Sequence, residues 1–242
     1  MGSPLGSPDD AARTGRAVRE MFAAVAPRYD FLNHFLSLGR DIAWRRATAR
    51  LLVDTLAPPG AVALDVCCGT GDLALELARA GSCAVIATDF CHPMLERASE
   101  KAKATHHAPY FLEADTLTLP FADDSFDVVA SAFGFRNLAN YAHGLAEMRR
   151  VLKPGGRVAI LEFSRVRWPV FGPLFRFYFR RVLPQLGTLV SGVQGAYQYL
   201  PDSVAQFPDQ EALAARMREA GLVKVCYRNF SGGVAALHLG EK

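Results

Sequence analysis

The residues Ala63 to Asp72, ALDVCCGTGD, close an apolar run on an acid and then turn through two glycines, Gly69 and Gly71. Glycine in such a turn either takes a positive φ or lets a ligand approach the backbone where a Cβ would block it. The run Gly69 to Ala74 fits the loose dinucleotide fingerprint with alanine in its third position, and a helix N-terminus attracts anions. A pyrophosphate is therefore one reading. Two acids oppose it: Asp65 lies just before the loop, and Asp72 falls in the first helical turn. A ligand with positive charge suits this surround better, and S-adenosylmethionine carries it on both its sulfonium and its ammonium. Asp65, Gly69 and Gly71 are the candidates for holding its methionine moiety. The competing reading is a plain tight turn that feeds a helix.

Two further acids follow at the ends of apolar runs. Asp89 closes CAVIATD, where a carboxylate can accept both hydroxyls of an adenosine ribose. Nicotinamide and S-adenosylmethionine sites share that feature, so it does not separate them. Asp115 closes PYFLEAD and can accept from an adenine amino group, or else serve as a helix cap or a solvated loop acid.

These residues need elements to position them. From Ala61 short apolar runs alternate with amphipathic ones. AVALDV, CAVIATD, PYFLEAD, FDVVASAF and RVAILEF read as strands, and DLALELARAG, HPMLERASEKAKA and YAHGLAEMRRVL as helices, with KPGG as a turn. Pro93 sits in a first turn, where its missing N–H costs little. Such alternation implies an α/β fold with a mostly parallel sheet and helices on both faces. Ligands in such sheets lie beyond the carboxyl ends of the strands, near the switch in strand order. Asp65, Asp89, Asp115 and Ala132 all fall at such ends. Beyond Phe163 the rhythm breaks into the long aromatic stretch WPVFGPLFRFYFRRVLPQLGTLV. Helix DQEALAARMREAG, capped by Asp209 and ended by Gly221, then precedes an antiparallel pair, LVKVCYRNF and GVAALHLG, across SGG.

The chain has 242 residues, half of them apolar, enough for one sizeable core. A net charge of +3 without a long basic tract argues against nucleic-acid binding. The five cysteines show neither metal-ligand nor disulfide spacing, and adjacent Cys67 and Cys68 are poorly placed to bridge each other. They read as packing residues in a reducing, cytoplasmic setting, with no metal. No run has the length of a transmembrane helix, and no signal peptide is expected. Residues 1–15 read as a disordered tail, and residues 16–242 as a single domain. Within it, 16–60 is expected to form a helical lid, and 164–208 a substrate-side insertion.

MFAAVAPRYDFLN, LDVCCGTGD, ATDFCHPML, LPFADDSFDVV, AFGFRN, MRRVLKPGGRVAILEFS, YQYLPDSVAQFPDQ and GGVAALHLG occur in that order. Together they resemble the UbiE/MenG-type ubiquinone/menaquinone C-methyltransferases from about Met21 onward. FGFRN, YQYLPDS…FPDQ and GGVAALH are the diagnostic motifs, while the glycine loop and KPGGR recur among class I methyltransferases. The resemblance implies a Rossmann-like, seven-stranded class I methyltransferase fold. It also implies methyl transfer from S-adenosylmethionine to a ring carbon of a prenylated quinol. Its cofactor positions fall on Thr70, Asp89 and the pair Asp115 and Thr116, with one more on Ala132, where relatives often carry serine. Phe135 replaces the commoner leucine of FGLRN. His34 stands where relatives carry an acid or amide and is given no catalytic role.

The family chemistry needs a reduced ring, because a phenolate pushes electron density onto its ortho carbon. Arg136 is the candidate for acting on that phenol, by stabilising the phenolate or orienting a water, since arginine is a poor base. Its competing role is an ion pair with a loop carboxylate. Asn137 is expected to hold a quinol oxygen or fix the loop. Asp30, Asn33, Tyr197 and Tyr199 are candidates for the substrate pocket. The stretch from Trp168 to Leu189 interleaves Arg176, Arg180 and Arg181 with aromatics, which suits peripheral contact with anionic lipid or a core helix with solvated charges. The acceptor is a naphthoquinol, a benzoquinol or both, and a homo-oligomer or an assembly with other quinone-biosynthesis enzymes fits the resemblance. Three rivals stand beside this reading: a methyltransferase for another small apolar acceptor, a nicotinamide oxidoreductase, and a non-catalytic scaffold.

Overall fold

A computed structural model describes residues 19–24, 26, 30, 34, 37–81, 83–105, 107–166 and 196–242, without the side chains of 196–198 and 200. The expected tail, part of the 16–60 lid and most of the 164–208 insertion, with Arg176, Arg180 and Arg181, lie outside these residues.

Helix α1 (Arg40–Leu56) leads into β1 (Val62–Val66), α2 (Asp72–Ala80), β2 (Ala84–Asp89), α3 (His92–Ala102) and β3 (Tyr110–Glu113). Then come β4 (Phe126–Ala132), a 3-10 turn (Phe135–Asn137), α4 (Tyr141–Val151) and β5 (Leu152–Phe163). Helices α5 (Ala196–Gln206) and α6 (Gln210–Glu219) precede β6 (Val223–Phe230) and β7 (Ala235–Glu241). The seven strands form one sheet in the order β3-β2-β1-β4-β5-β7-β6. β1 pairs in parallel with β2 and β4, β4 in parallel with β5, and β7 is antiparallel to both neighbours. Strand order therefore reverses between β1 and β4, so a crevice opens beyond their carboxyl ends.

The two faces of the sheet follow from alternation along each strand. Ala63, Val128, Ala130, Ala159 and Leu161 pack with Trp44, Leu52 and Leu56 of α1 and Leu73 and Leu77 of α2. Their neighbours Leu64, Val66, Val129, Val158 and Ile160 pack with Leu145 and Met148 of α4 and Leu213 and Met217 of α6. Small residues on the first face let α1 and α2 lie close over β1 and β4. Asp209 caps α6 by accepting from the Ala212 N–H at 3.0 Å, as its sequence predicts.

KPGG is a correction. It lies within β5 rather than forming a separate turn. Pairing slips there, from Phe126 opposite Leu152 to Val128 opposite Arg157, so the extra residues form a bulge at the start of the strand.

Candidate functional site

A cavity of about 390 Å³ opens at the switch between β1 and β4, within the size range of small-molecule sites. Asp65, Gly69, Thr70, Asp89, Asp115, Thr116, Ala132 and Asn137 all line it, so residues far apart in sequence meet as expected. Gly71 does not. Its φ is +80°, and a Cβ there would come within 3.0 Å of the Phe111 ring and 3.1 Å of Ala98. Its glycine serves turn geometry and packing on α3 rather than a ligand.

Asp65 is fully buried, and neither of its carboxylate oxygens has a hydrogen-bond partner. Burial pushes its pKa up to about 8, opposed by the Ala74 backbone N–H, which lies outside good hydrogen-bond geometry, and by the positive charge of Arg45. An orphaned buried acid facing a cavity is costly unless a donor arrives. The ammonium of S-adenosylmethionine is such a donor, so the residues present fit that cofactor.

Asp72 plays a different part from the one its sequence position implies. Lys101 Nζ lies 2.5 Å from its Oδ1, and Arg45 lies 3.8 Å from its Oδ2. Its charge is balanced within the protein, which leaves Asp65 as the acid that attracts a cation. Lys101 also donates to Asp30 at 2.8 Å, and the Thr70 hydroxyl donates to Asp30 at 2.5 Å. Asp30 thus ties an N-terminal residue to the glycine loop and to α3, and it is not among the cavity-lining residues.

At the tip of β2, Asp89 accepts the Gly69 N–H at 2.8 Å and the Cys91 N–H at 2.9 Å. Burial raises its pKa against those two bonds. Each carboxylate oxygen can accept more than once, so one side chain can clasp the loop and still receive ribose hydroxyls. Asp115 is exposed and accepts the Leu117 N–H at 2.9 Å, which makes it a turn acid as well as a wall of the cavity. Thr116 is buried, with its hydroxyl 3.3 Å from Cys67 Sγ. Burial and the nearby Asp89 push the Cys67 thiol well up, so it is an inert wall rather than a nucleophile.

Arg136 is buried and lies off the cavity wall. Its Nη1 pairs with Glu162 at 3.2 Å and donates to the Phe133 carbonyl, while its backbone N–H donates to Glu162 Oε1 at 3.0 Å. The guanidinium also sits 5.7 Å from the centre of the Phe163 ring. This is the ion pair weighed as its competing role, with the acid on β5 rather than on a loop. Direct action on a phenol is not the geometry seen. Asn137 does line the cavity, and its Oδ1 accepts the Tyr199 hydroxyl at 3.0 Å. Burial raises the Tyr199 pKa against the pull of Arg136, so its hydroxyl stays protonated as a donor. Asn33 and the side chain of Tyr197 lie outside the described residues.

Several site residues carry no motif signal. Glu162 pairs with Arg136 across the sheet, and Arg45 and Lys101 come from helices flanking the glycine loop. Gly134 is as tight as any position here: a Cβ would meet Cys67 Cβ at 2.4 Å and the Cys67 carbonyl at 2.7 Å. Cys67 and Phe133 both carry positive φ, +53° and +60°, so the tips of β1 and β4 are strained where they meet. Their only advance sign is that Gly134 adjoins an aromatic at a strand end.

Comparison with known proteins agrees with this geometry. The profile of the ubiE/COQ5 methyltransferase family matches residues 10–242. A demethylmenaquinone methyltransferase of Deinococcus radiodurans is 50% identical over 99% of this chain and 97% of its own length. Its counterpart in Thermus thermophilus is 51% identical over 92% of this chain and all of its own. The ubiquinone/menaquinone biosynthesis C-methyltransferase UbiE of Geotalea daltonii is 45% identical over 94% and 97%. Among solved structures, a SAM-dependent methyltransferase of Thermotoga maritima shares the fold with a TM-score of 0.60 at 17% identity, covering 89% of this chain and 98% of that one. A cavity at the strand switch, walled by an unpartnered acid, thus coincides with a family match over nearly the whole sequence: the chain belongs to the ubiE/COQ5 methyltransferase family and is an S-adenosylmethionine-dependent methyltransferase.

Proposed function

We propose that this enzyme methylates a ring carbon of a prenylated quinol, with demethylmenaquinol as acceptor and menaquinol as product. The relatives at 50 and 51% identity, both named for demethylmenaquinone, carry that choice of acceptor. A benzoquinol acceptor is the second reading, supported by the 45% identical relative whose name covers ubiquinone as well.

S-adenosylmethionine, when bound, supplies a methyl group already activated by its positive sulfur. The protein's part is placement and proton control. Asp65 holds the cofactor's ammonium, Gly69 and Thr70 shape the loop beneath it, and Asp89 receives the ribose. Asp115 and Thr116, with Ala132 at the tip of β4, wall the adenosine side. Asn137, held by Tyr199, presents its amide group to a quinol oxygen. Arg136 acts as a positioning residue: its pair with Glu162 fixes the 3-10 turn that carries Asn137. Residues 16–60 and 164–208 are assigned to covering the apolar ring and tail, and the helical residues 19–24 contribute Arg19 and Phe22 to the cavity wall. Peripheral lipid contact through the 164–208 segment belongs to the same reading, because a prenylated substrate resides in lipid. Among the described residues, no helix is long and apolar enough to cross a membrane.

The test is an anaerobic assay of purified enzyme with S-adenosylmethionine and chemically reduced demethylmenaquinone, with product identified by mass spectrometry. Methylated naphthoquinol is expected from the reduced acceptor and none from the oxidised quinone. Turnover of the oxidised form at the same rate, or of benzoquinol alone, would overturn the proposal.

A further inference from the structure

Among the described residues, the ionisable side chains Asp65, Asp72 and Arg45 line the cavity beside the glycine loop. Asp72 is matched by Lys101 at 2.5 Å, with Arg45 at 3.8 Å. Among the described residues, the unpartnered acid Asp65 and the cation Arg45 face the same space, and the cofactor's amino-acid end is a zwitterion.

Arg45 is only 6% exposed although it reaches the cavity from α1. Asp41, one turn earlier, accepts from its Nη1 at 2.5 Å. Asp41 is itself held by the Ser37 hydroxyl at 2.6 Å and by His34 Nδ1 at 2.8 Å. Burial pushes the Asp41 carboxyl up, but Arg45, Ser37 and His34 outweigh it and keep it ionised. On its other side the guanidinium lies 5.1 Å from the centre of the Phe133 ring. Its position is therefore fixed before any ligand arrives, and little side-chain freedom is left to lose. A guanidinium has five N–H donors in a planar fork that matches a carboxylate, so the pair with Asp41 and the longer approach to Asp72 leave donors for a further carboxylate. Among the described residues, the other cation on the cavity wall, Arg19, stands 5.5 Å from the Phe90 ring centre and 3.2 Å from Glu113.

We infer that Arg45 receives the carboxylate of the cofactor's methionine moiety, while Asp65 takes the ammonium of the same group. The two side chains then read the cofactor as an amino acid. The inference rests on S-adenosylmethionine binding in this cavity, not on the identity of the acceptor.

Calorimetry with S-adenosylhomocysteine, its decarboxylated analogue and 5′-methylthioadenosine tests it directly. The unaltered enzyme should bind S-adenosylhomocysteine roughly 10–100-fold more tightly than the decarboxylated analogue, the range expected for a hydrogen-bonded charge pair. In Arg45→Gln that preference should vanish, with Arg45→Lys restoring part of it. Affinity for 5′-methylthioadenosine, which lacks the amino-acid group, should stay within about twofold, since it makes no use of the lost contact. Equal binding of the first two ligands by the unaltered enzyme would overturn the inference without any variant. Equal weakening of all three ligands in Arg45→Gln would also overturn it, because Arg45 would then merely support α1 against the loop. Failure of quinol methylation with the carboxylate preference intact would instead overturn only the proposed acceptor.

Discussion

Single residues divide the acids at this site into two kinds. Asp89 and Asp72 have partners inside the protein, whereas Asp65 has none. The folded pKa of Asp65, about 8, lies far above its unfolded value of 3.8. A carboxyl raised in this way contributes stability that is full below pH 3.8 and is lost as pH rises toward 8. Asp65→Asn keeps the shape and removes that loss. The ligand-free variant should therefore melt several degrees above the unaltered protein at pH 8 and converge on it near pH 4. Parallel melting curves at both pH values would contradict the assigned ionisation. Arg136 and Glu162 yield a second expectation. Arg136→Lys retains the charge but not the fork that serves Glu162 and the Phe133 carbonyl. Its kcat should fall roughly 10–100-fold, the loss that misplacement of a reacting group produces, while KM for S-adenosylmethionine is unchanged. An unchanged kcat would remove the positioning role.

Elements explain how those residues come to face one another. β1 and β4 are adjacent though some sixty residues apart in sequence, and their tips touch where Gly134 meets Cys67. Gly134→Ala forces a Cβ into the Cys67 backbone, which cannot swing aside as a flexible side chain would. Overpacking of this kind costs about 1–3 kcal/mol. The loss should appear in urea melts, together with weaker S-adenosylhomocysteine binding, because Cys67, Gly134 and Asn137 share the cavity wall. Undisturbed affinity would show the tip contact to be purely structural. The strands and helices themselves were legible in sequence, since apolar alternation and Asp209 declare them locally. KPGG misled because proline and glycine also mark a bulge, and only the pairing of β4 with β5 distinguishes the two. Arg45, Lys101 and Glu162 were not legible as site residues, because long-range packing rather than spacing brings them to the loop.

The whole molecule places its chemistry at one end of the sheet and brings the helical residues 19–24 to the cavity wall. Arg19 pairs with Glu113 at the end of β3, Phe22 lines the cavity, and Ala26 packs against Cys91 and Met94. Asp30 reaches Thr70 and Lys101 from the same segment. Contacts from these residues to the cavity wall and to the residues that support it predict that ligand binding and residues 19–24 stabilise each other. Amide hydrogen exchange in residues 19–24 and in the turn Phe135–Asn137 should slow when S-adenosylhomocysteine is added, while α6 changes little. Uniform slowing across α6 as well would instead reflect global stabilisation by mass action. The glycine-loop acids made the cofactor class readable from sequence. The segments proposed to cover the acceptor rest on motif resemblance, because no local spacing assigns them a substrate.

Titration calorimetry of S-adenosylhomocysteine at pH 7, in two buffers of different ionisation enthalpy, tests the role of Asp65 most directly. The ammonium binds the ionised carboxylate, so a group with a pKa of about 8 must give up a proton on binding. The unaltered enzyme should release most of one proton and bind more tightly as pH rises toward 8. Asp65→Asn should release none and bind roughly 10–100-fold more weakly. Equal affinity and equal proton release in the two proteins would contradict the account at its centre.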